Sequence, residues 1–195
     1  SGVAATDWSW APLWVDFDND GRKDLFISNG IPKRMNDIDY VNFVSNEEIQ
    51  QRINSNSMDE KNMALISKFP EIRLPNKFFT NQGNLSFSDA DNRIEGNEPS
   101  FSNGAVYADF DNDGDLDIAV NNINAEALLY ENQTARPGEH ASLRIKLEGP
   151  AGNRNAIGSR VILFSGKEIK TWDKYPVRGF ISSMETDLLI GLKNT

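Results

Sequence analysis

Two nine-residue segments hold the densest chemistry in this chain: Asp16-Phe-Asp18-Asn-Asp20-Gly21-Arg22-Lys-Asp24 and Asp109-Phe-Asp111-Asn-Asp113-Gly114-Asp115-Leu-Asp117. Each sets carboxylates at positions 1, 3, 5 and 9 with glycine at 6, a spacing that wraps oxygen ligands around a hard cation. Such cations take six to eight oxygens from carboxylates, carbonyls and water, and this many carboxylates favours Ca2+ over Mg2+. Two carboxylates about 5 Å apart repel by roughly 3 kcal/mol at an effective dielectric near 20, a penalty that a bound dication removes. An acidic turn that only caps its own backbone is the plainer use of Asp, Asn and Gly. The second copy of the pattern argues for metal, two sites in all.

The flanking residues say which elements position these loops. Position 12 is Ile27 in the first copy and Val120 in the second, so the bidentate Glu of a helix-loop-helix calcium site is missing. Leu25-Phe26-Ile27 and Ile118-Ala119-Val120 follow the loops, and Pro12-Leu13-Trp14-Val15 and Ala105-Val106-Tyr107-Ala108 precede them. These short apolar and β-branched runs read as strands. Each loop therefore joins two antiparallel strands.

A DxDxDGxxD loop between two strands resembles the FG-GAP or VCBS repeat, the integrin-like blade of a β-propeller. The resemblance implies calcium ligands from the side chains of Asp16, Asp18, Asp20 and Asp24 with the backbone carbonyl of Arg22. In the second copy it implies Asp109, Asp111, Asp113 and Asp117 with the carbonyl of Asp115. The expected fold is mainly β, with antiparallel four-stranded propeller-type blades.

The copies are offset by 93 residues, more than one blade needs, and the excess falls between Lys33 and Pro75. That stretch turns helix-forming. Ile38, Val41 and Val44 suggest a short helix, and Ser45-Asn46-Glu47-Glu48 and Ser57-Met58-Asp59-Glu60 fit capping boxes. Met63, Ile66 and Phe69 would face one side of the second helix, which Pro70 ends. These helices are expected to pack on a blade edge. The blade resumes at Asn76–Gly83 and Leu85–Phe87, a hairpin with its turn at Gly83-Asn84, and the related Ala127–Gln133 lies 51 residues on. Two blades do not close a propeller of four or more, so further blades of a parent chain are expected partners. Trp8, Trp10 and Trp14 could cover an exposed edge or stack on sugar, although core packing is the commoner use of tryptophan.

Composition changes after a linker at residues 136–141, and strands recur at Ser142–Leu147, Ser159–Phe164 and Glu168–Trp172. Asn155-Ala156-Ile157-Gly158-Ser159-Arg160-Val161, Arg178-Gly179-Phe180-Ile181-Ser182-Ser183 and Leu189-Ile190-Gly191-Leu192 resemble the ASPIC/UnbV domain. That domain accompanies FG-GAP repeats in exported Bacteroidetes proteins and in the cartilage acidic protein family. The expected organisation is blade repeats over 1–135, then a β-sandwich-like domain over 142–195, truncated at Thr195.

With 38% hydrophobic and 10% aromatic residues, the 195-residue chain can fill a core. Nine of its 29 acids lie in the two loops, and the net charge of -9 makes nucleic acid an unsuitable partner. No apolar run is long enough for a membrane helix. The start at Ser1 rather than Met leads to the expectation of a longer parent with its signal peptide or anchor elsewhere. Loops lacking the bidentate Glu bind weakly, which suits a cell-surface, periplasmic or secreted setting. Zero cysteines excludes a disulfide scaffold and a thiol nucleophile, and His140, the one histidine, lies in the linker. No nucleophile elbow or phosphate loop occurs. The expected function is a non-enzymatic calcium-binding module for protein or glycan binding and assembly. The alternative is part of a polysaccharide-acting, lyase-like enzyme.

Overall fold

A computed structural model describes residues 2–3, 5–33, 38–60, 64, 67, 71–134 and 141–192. The chain is mainly β with antiparallel sheets, as the sequence implies. Strands β1 (Ser9–Val15), β2 (Asp24–Asn29), β3 (Lys77–Gly83) and β4 (Ser86–Asp89) form one four-stranded sheet in that order. Strands β5 (Ser102–Ala108), β6 (Asp117–Asn122) and β7 (Leu128–Tyr130) form a three-stranded sheet. Two further antiparallel pairs follow, β8 (Ala141–Ile145) with β11 (Leu188–Leu192) and β9 (Arg160–Ser165) with β10 (Glu168–Asp173).

The 93-residue offset extends well beyond the acidic loops. Ser9 pairs with Asn29 and Ser102 with Asn122, and in both sheets the register then shifts, before Pro12 and before Ala105. Gly30 N donates to Trp8 O at 3.1 Å, and Ile123 N to Phe101 O at 2.9 Å. Each bulge adds local twist just before the strand that delivers the acidic loop.

β1 alternates cleanly, with Ala11, Leu13 and Val15 facing inward and Pro12 and Trp14 outward. β2 is buried at every position. The inward residues meet Phe26, Phe78, Ala105, Leu116, Ile118, Val120 and Tyr130 in one core between the two sheets. Phe78 sits at its centre, edge-on to Phe26 at 5.0 Å and to Tyr130 at 5.2 Å, the arrangement that ring quadrupoles favour. Tyr130 keeps its hydroxyl satisfied by donating to Asn97 Oδ1 and accepting from Asn76 Nδ2, both at 3.0 Å.

The C-terminal segment contributes to this same core. Met184 is buried within it, and Phe180 and Leu189 pack against it. Gly179, at φ 70°, lies so close to β1 that a Cβ would come within 2.9 Å of Leu13 Cδ2. Phe180 then reaches Trp10 at 4.6 Å between ring centroids, while the Trp10 indole donates to Gly30 O. Trp8 and Trp14 remain exposed, and Trp10, in contact with Phe180, is half-buried.

Three local expectations change. The β3–β4 turn centres on Asn84-Leu85, both left-handed at φ 51° and 58°, rather than on Gly83-Asn84. Helix α2 (Glu47–Asn54) is capped by Asn46 rather than Ser45, because the Asn46 carboxamide oxygen accepts from both Glu48 N and Ile49 N. Helix α1 (Ile38–Val44) buries none of its residues and α2 only Ile49, so these two helices share little of the core. Met63, Ile66, Phe69, Pro70, the residues 136–140 and with them His140 lie outside the described residues.

Candidate metal centres

Both acidic loops close by the same backbone geometry. Asn19 and Gly21 are left-handed at φ 53° and 77°, as are their counterparts Asn112 and Gly114 at 62° and 98°. Asparagine and glycine tolerate that region best, which explains their places at positions 4 and 6. The curl turns successive N–H groups onto the carboxylates. In the first loop Asp16 Oδ2 accepts from Gly21 N (2.9 Å), Asp18 Oδ1 from Asp20 N (3.2 Å) and Asp20 Oδ1 from Arg22 N (2.8 Å). In the second, Asp109 Oδ2 accepts from Gly114 N (3.2 Å), Asp111 Oδ1 from Asp113 N (3.2 Å) and Asp113 Oδ1 from Asp115 N (3.1 Å).

Two clusters result. Asp16, Asp18 and Asp24 bring one oxygen each within 4.8 Å of one another, and so do Asp109, Asp111 and Asp117. Asp20 and Asp113 stand apart from these triads, and Asp20 forms an ion pair with Arg22. Arg22 and Asp115 are implicated only through their carbonyls. The Arg22 Nε donates to Asn81 O at 3.2 Å, and Asp115 is fully buried. The donor atoms are all oxygen, and the Asp16 carboxylate has one oxygen, Oδ1, buried without a hydrogen-bond partner among the described residues. A buried orphan carboxylate oxygen is expensive unless a cation satisfies it. The residues therefore fit a hard cation.

Crowding and burial leave their mark on titration. Burial, followed by repulsion from Asp20, pushes the Asp16 carboxyl up to about 6. Burial also pushes Asp24 up to about 7, although N–H groups of Asn81 and Phe17 oppose the rise. Burial likewise pushes the neighbouring Lys23 ammonium down. A dication at the triad reverses the balance by favouring the ionised carboxylates.

The ninth-position acid does a second job in both copies. Asp24 accepts from Phe17 N (2.9 Å) and Asn81 N (2.7 Å), and Asp117 from Phe110 N (2.9 Å) and Asn132 N (2.8 Å). It thus clamps its own loop to the third strand or its continuation. The asparagines complete the clamp. Asn81 Nδ2 donates to Lys23 O at 2.8 Å and Asn132 Nδ2 to Leu116 O at 3.2 Å. Asn132 Nδ2 also reaches Phe17 O (2.9 Å), while Asn19 Nδ2 donates to Gly114 O (3.1 Å), so the two loops are tied directly to each other. These asparagines lie outside the acidic motif, and the repeated Asn-Gln pair at 81–82 and 132–133 is the sequence signal that marks them.

Residues of the C-terminal strands complete the surroundings. Gly191 of β11 lies against the first loop, where a Cβ would stand 2.5 Å from both Asn19 Cα and Asp16 Oδ2. Lys170 Nζ of β10 comes to 3.5 Å from Asp20 O. At the second loop, Arg144 of β8 pairs with Asp109 and, at 2.6 Å, with Glu185. No spacing in the sequence announces these contacts.

The family model for the FG-GAP-like repeat matches residues 71–120, a span that contains the second loop. That for ASPIC and UnbV matches residues 149–195. No curated protein matches the chain. FG-GAP repeats typically occur in extracellular proteins, and the two families together indicate a β-rich repeat module of extracellular type. Among the described residues no helix is long and apolar enough to cross a membrane.

Proposed function

We propose that this chain, in which an FG-GAP-like repeat is joined to an ASPIC and UnbV domain, is a calcium-structured, non-enzymatic module of an exported or cell-surface protein that serves protein or glycan binding and assembly. The observation that carries the reading is the pair of matching aspartate triads, one with an orphan buried oxygen. Asp16, Asp18 and Asp24 hold one ion, and Asp109, Asp111 and Asp117 the other, with remaining positions filled by carbonyls and water. The metal neutralises carboxylates that the fold forces together, and so rigidifies the turns that set the strand pairs. Beside the first loop, Phe17 and Asp18 line a cleft of about 540 Å³ opposite Ile94, Leu129 and Tyr130, a place for a ligand to meet the metal-ordered surface.

Thermal melts after exhaustive chelation, repeated with Ca2+ and Mg2+ from micromolar to millimolar, test the reading. Occupancy at one hundred times the dissociation constant adds about 2.7 kcal/mol per site, so Ca2+ raises the midpoint and Mg2+ raises it less. Asp18→Ala and Asp111→Ala each remove part of that rise. A midpoint insensitive to Ca2+ in the unsubstituted protein overturns the proposal.

A further inference from the structure

The two loops share a backbone and a triad, yet their charge environments differ. In the first, among the described residues, Asp16 Oδ1 has no hydrogen-bond partner and Asp16 Oδ2 accepts from the Gly21 N–H. In the second, the equivalent Asp109 is ion-paired with the Arg144 guanidinium, which comes from β8, 35 residues further along the chain. Arg144 is itself held by Glu185 at 2.6 Å, and the other oxygen of Glu185 accepts from Asp109 N at 3.3 Å. The Asp109 side chain is 1% exposed, so this contact is largely desolvated on the aspartate side.

Resting on the calcium reading above, we propose that Arg144 is the resident cation of the second loop, so that the first loop is the stronger calcium site and the second binds only by displacing this guanidinium. A fixed guanidinium beside Asp109 repels an incoming dication and already satisfies the carboxylate that the dication would use. Binding at the second loop requires Arg144 to leave Asp109, and Glu185 is placed to keep it. Among the described residues no cationic side chain forms an ion pair with Asp16: Arg22 pairs with Asp20, Lys170 Nζ reaches Asp20 O at 3.5 Å, and Lys23 acts on Asp16 only through its charge. Metal affinity in one family repeat is thereby set by a side chain of the neighbouring domain, and linkage makes the effect reciprocal: calcium in the second loop weakens the Arg144 contact by the same factor.

Calorimetric titration of the full chain with CaCl2 tests this, with terbium luminescence as a second readout. The unsubstituted protein should show two unequal sites. Arg144→Gln should tighten the weaker site by about tenfold or more, within the usual range of coupling between sites, and leave the stronger one unchanged. Asp18→Ala should abolish the stronger site and leave the Arg144-sensitive one. Glu185→Gln should weaken the second site further by removing the charged acceptor for the displaced guanidinium. Two equal sites that Arg144→Gln does not alter would overturn the inference while leaving the calcium reading standing. Absence of binding in every variant would overturn both.

Discussion

Asp24→Asn should change sign with calcium. With metal removed, the Asp24 carboxyl stands at about 7 in the folded protein against 3.8 ordinarily. Roughly three pKa units at 1.36 kcal/mol each mean that ionised Asp24 opposes folding by about 4 kcal/mol above pH 7. Asparagine removes that charge. It also turns an NH2 group toward either Phe17 N or Asn81 N, which both donate to the carboxylate, at a penalty of about 1–3 kcal/mol for the unsatisfied donor. At pH 8 in chelator the variant should therefore be more stable than the parent by about 1–3 kcal/mol, the difference of those two magnitudes. In Ca2+ at one hundred times the dissociation constant the parent gains about 2.7 kcal/mol at this loop and the variant does not, so the advantage vanishes or reverses. Urea unfolding followed by tryptophan fluorescence, in chelator and in Ca2+, measures both. A variant less stable than the parent in chelator would refute the claim that burial of the Asp24 charge governs the metal-free loop.

The pH dependence of the chelated protein follows from the same groups. Asp16 and Asp24 have raised values in the fold, about 6 and about 7, so the native state binds their protons more tightly than the unfolded chain does. Metal-free stability should fall as pH rises from about 4 to about 7, by up to about 1.4 kcal/mol per pH unit for each carboxyl, and saturating Ca2+ should flatten or invert the trend; a chelated melt that rises steadily with pH over that window would contradict it. Asn132→Ala removes donations to Phe17 O and Leu116 O and the acceptor for Thr134 N, a loss of about 2–4 kcal/mol for three hydrogen bonds, seen as a lower urea midpoint. Gly191→Ala puts a methyl 2.5 Å from Asn19 Cα and Asp16 Oδ2; it should cost at least about 3 kcal/mol and weaken calcium-dependent stabilisation, and a melt within about 2 °C of the parent would show that β11 does not press on the loop.

The acidic loops, the strands on either side of them and the 93-residue repeat were legible in the sequence because each depends on neighbours in the chain. A DxDxDG run needs left-handed backbone at Asn19 and Gly21, and those residue types carry that preference with them. Alternation in β1 and the short apolar runs of β2 and β6 likewise report burial through local spacing. The turn at Asn84-Leu85 escaped because Leu85 adopts a left-handed conformation that its type disfavours, and the register of the β3–β4 pair decides it. Contacts made at long range depend instead on how the folded chain brings distant segments together. Asp20 and Asp113 bear the same residue type and spacing as the triad acids, yet the path of the closed loop leaves them outside the clusters. Asn132 reaching Phe17, Gly191 seated on Asn19 and Arg144 on Asp109 join parts of the chain whose separations follow no period. Residue order alone was enough to specify two matching acidic loops in a repeated β framework. Their unequal surroundings come from the packing of the C-terminal strands, because a carboxylate's charge environment depends on what lies within a few ångströms in space.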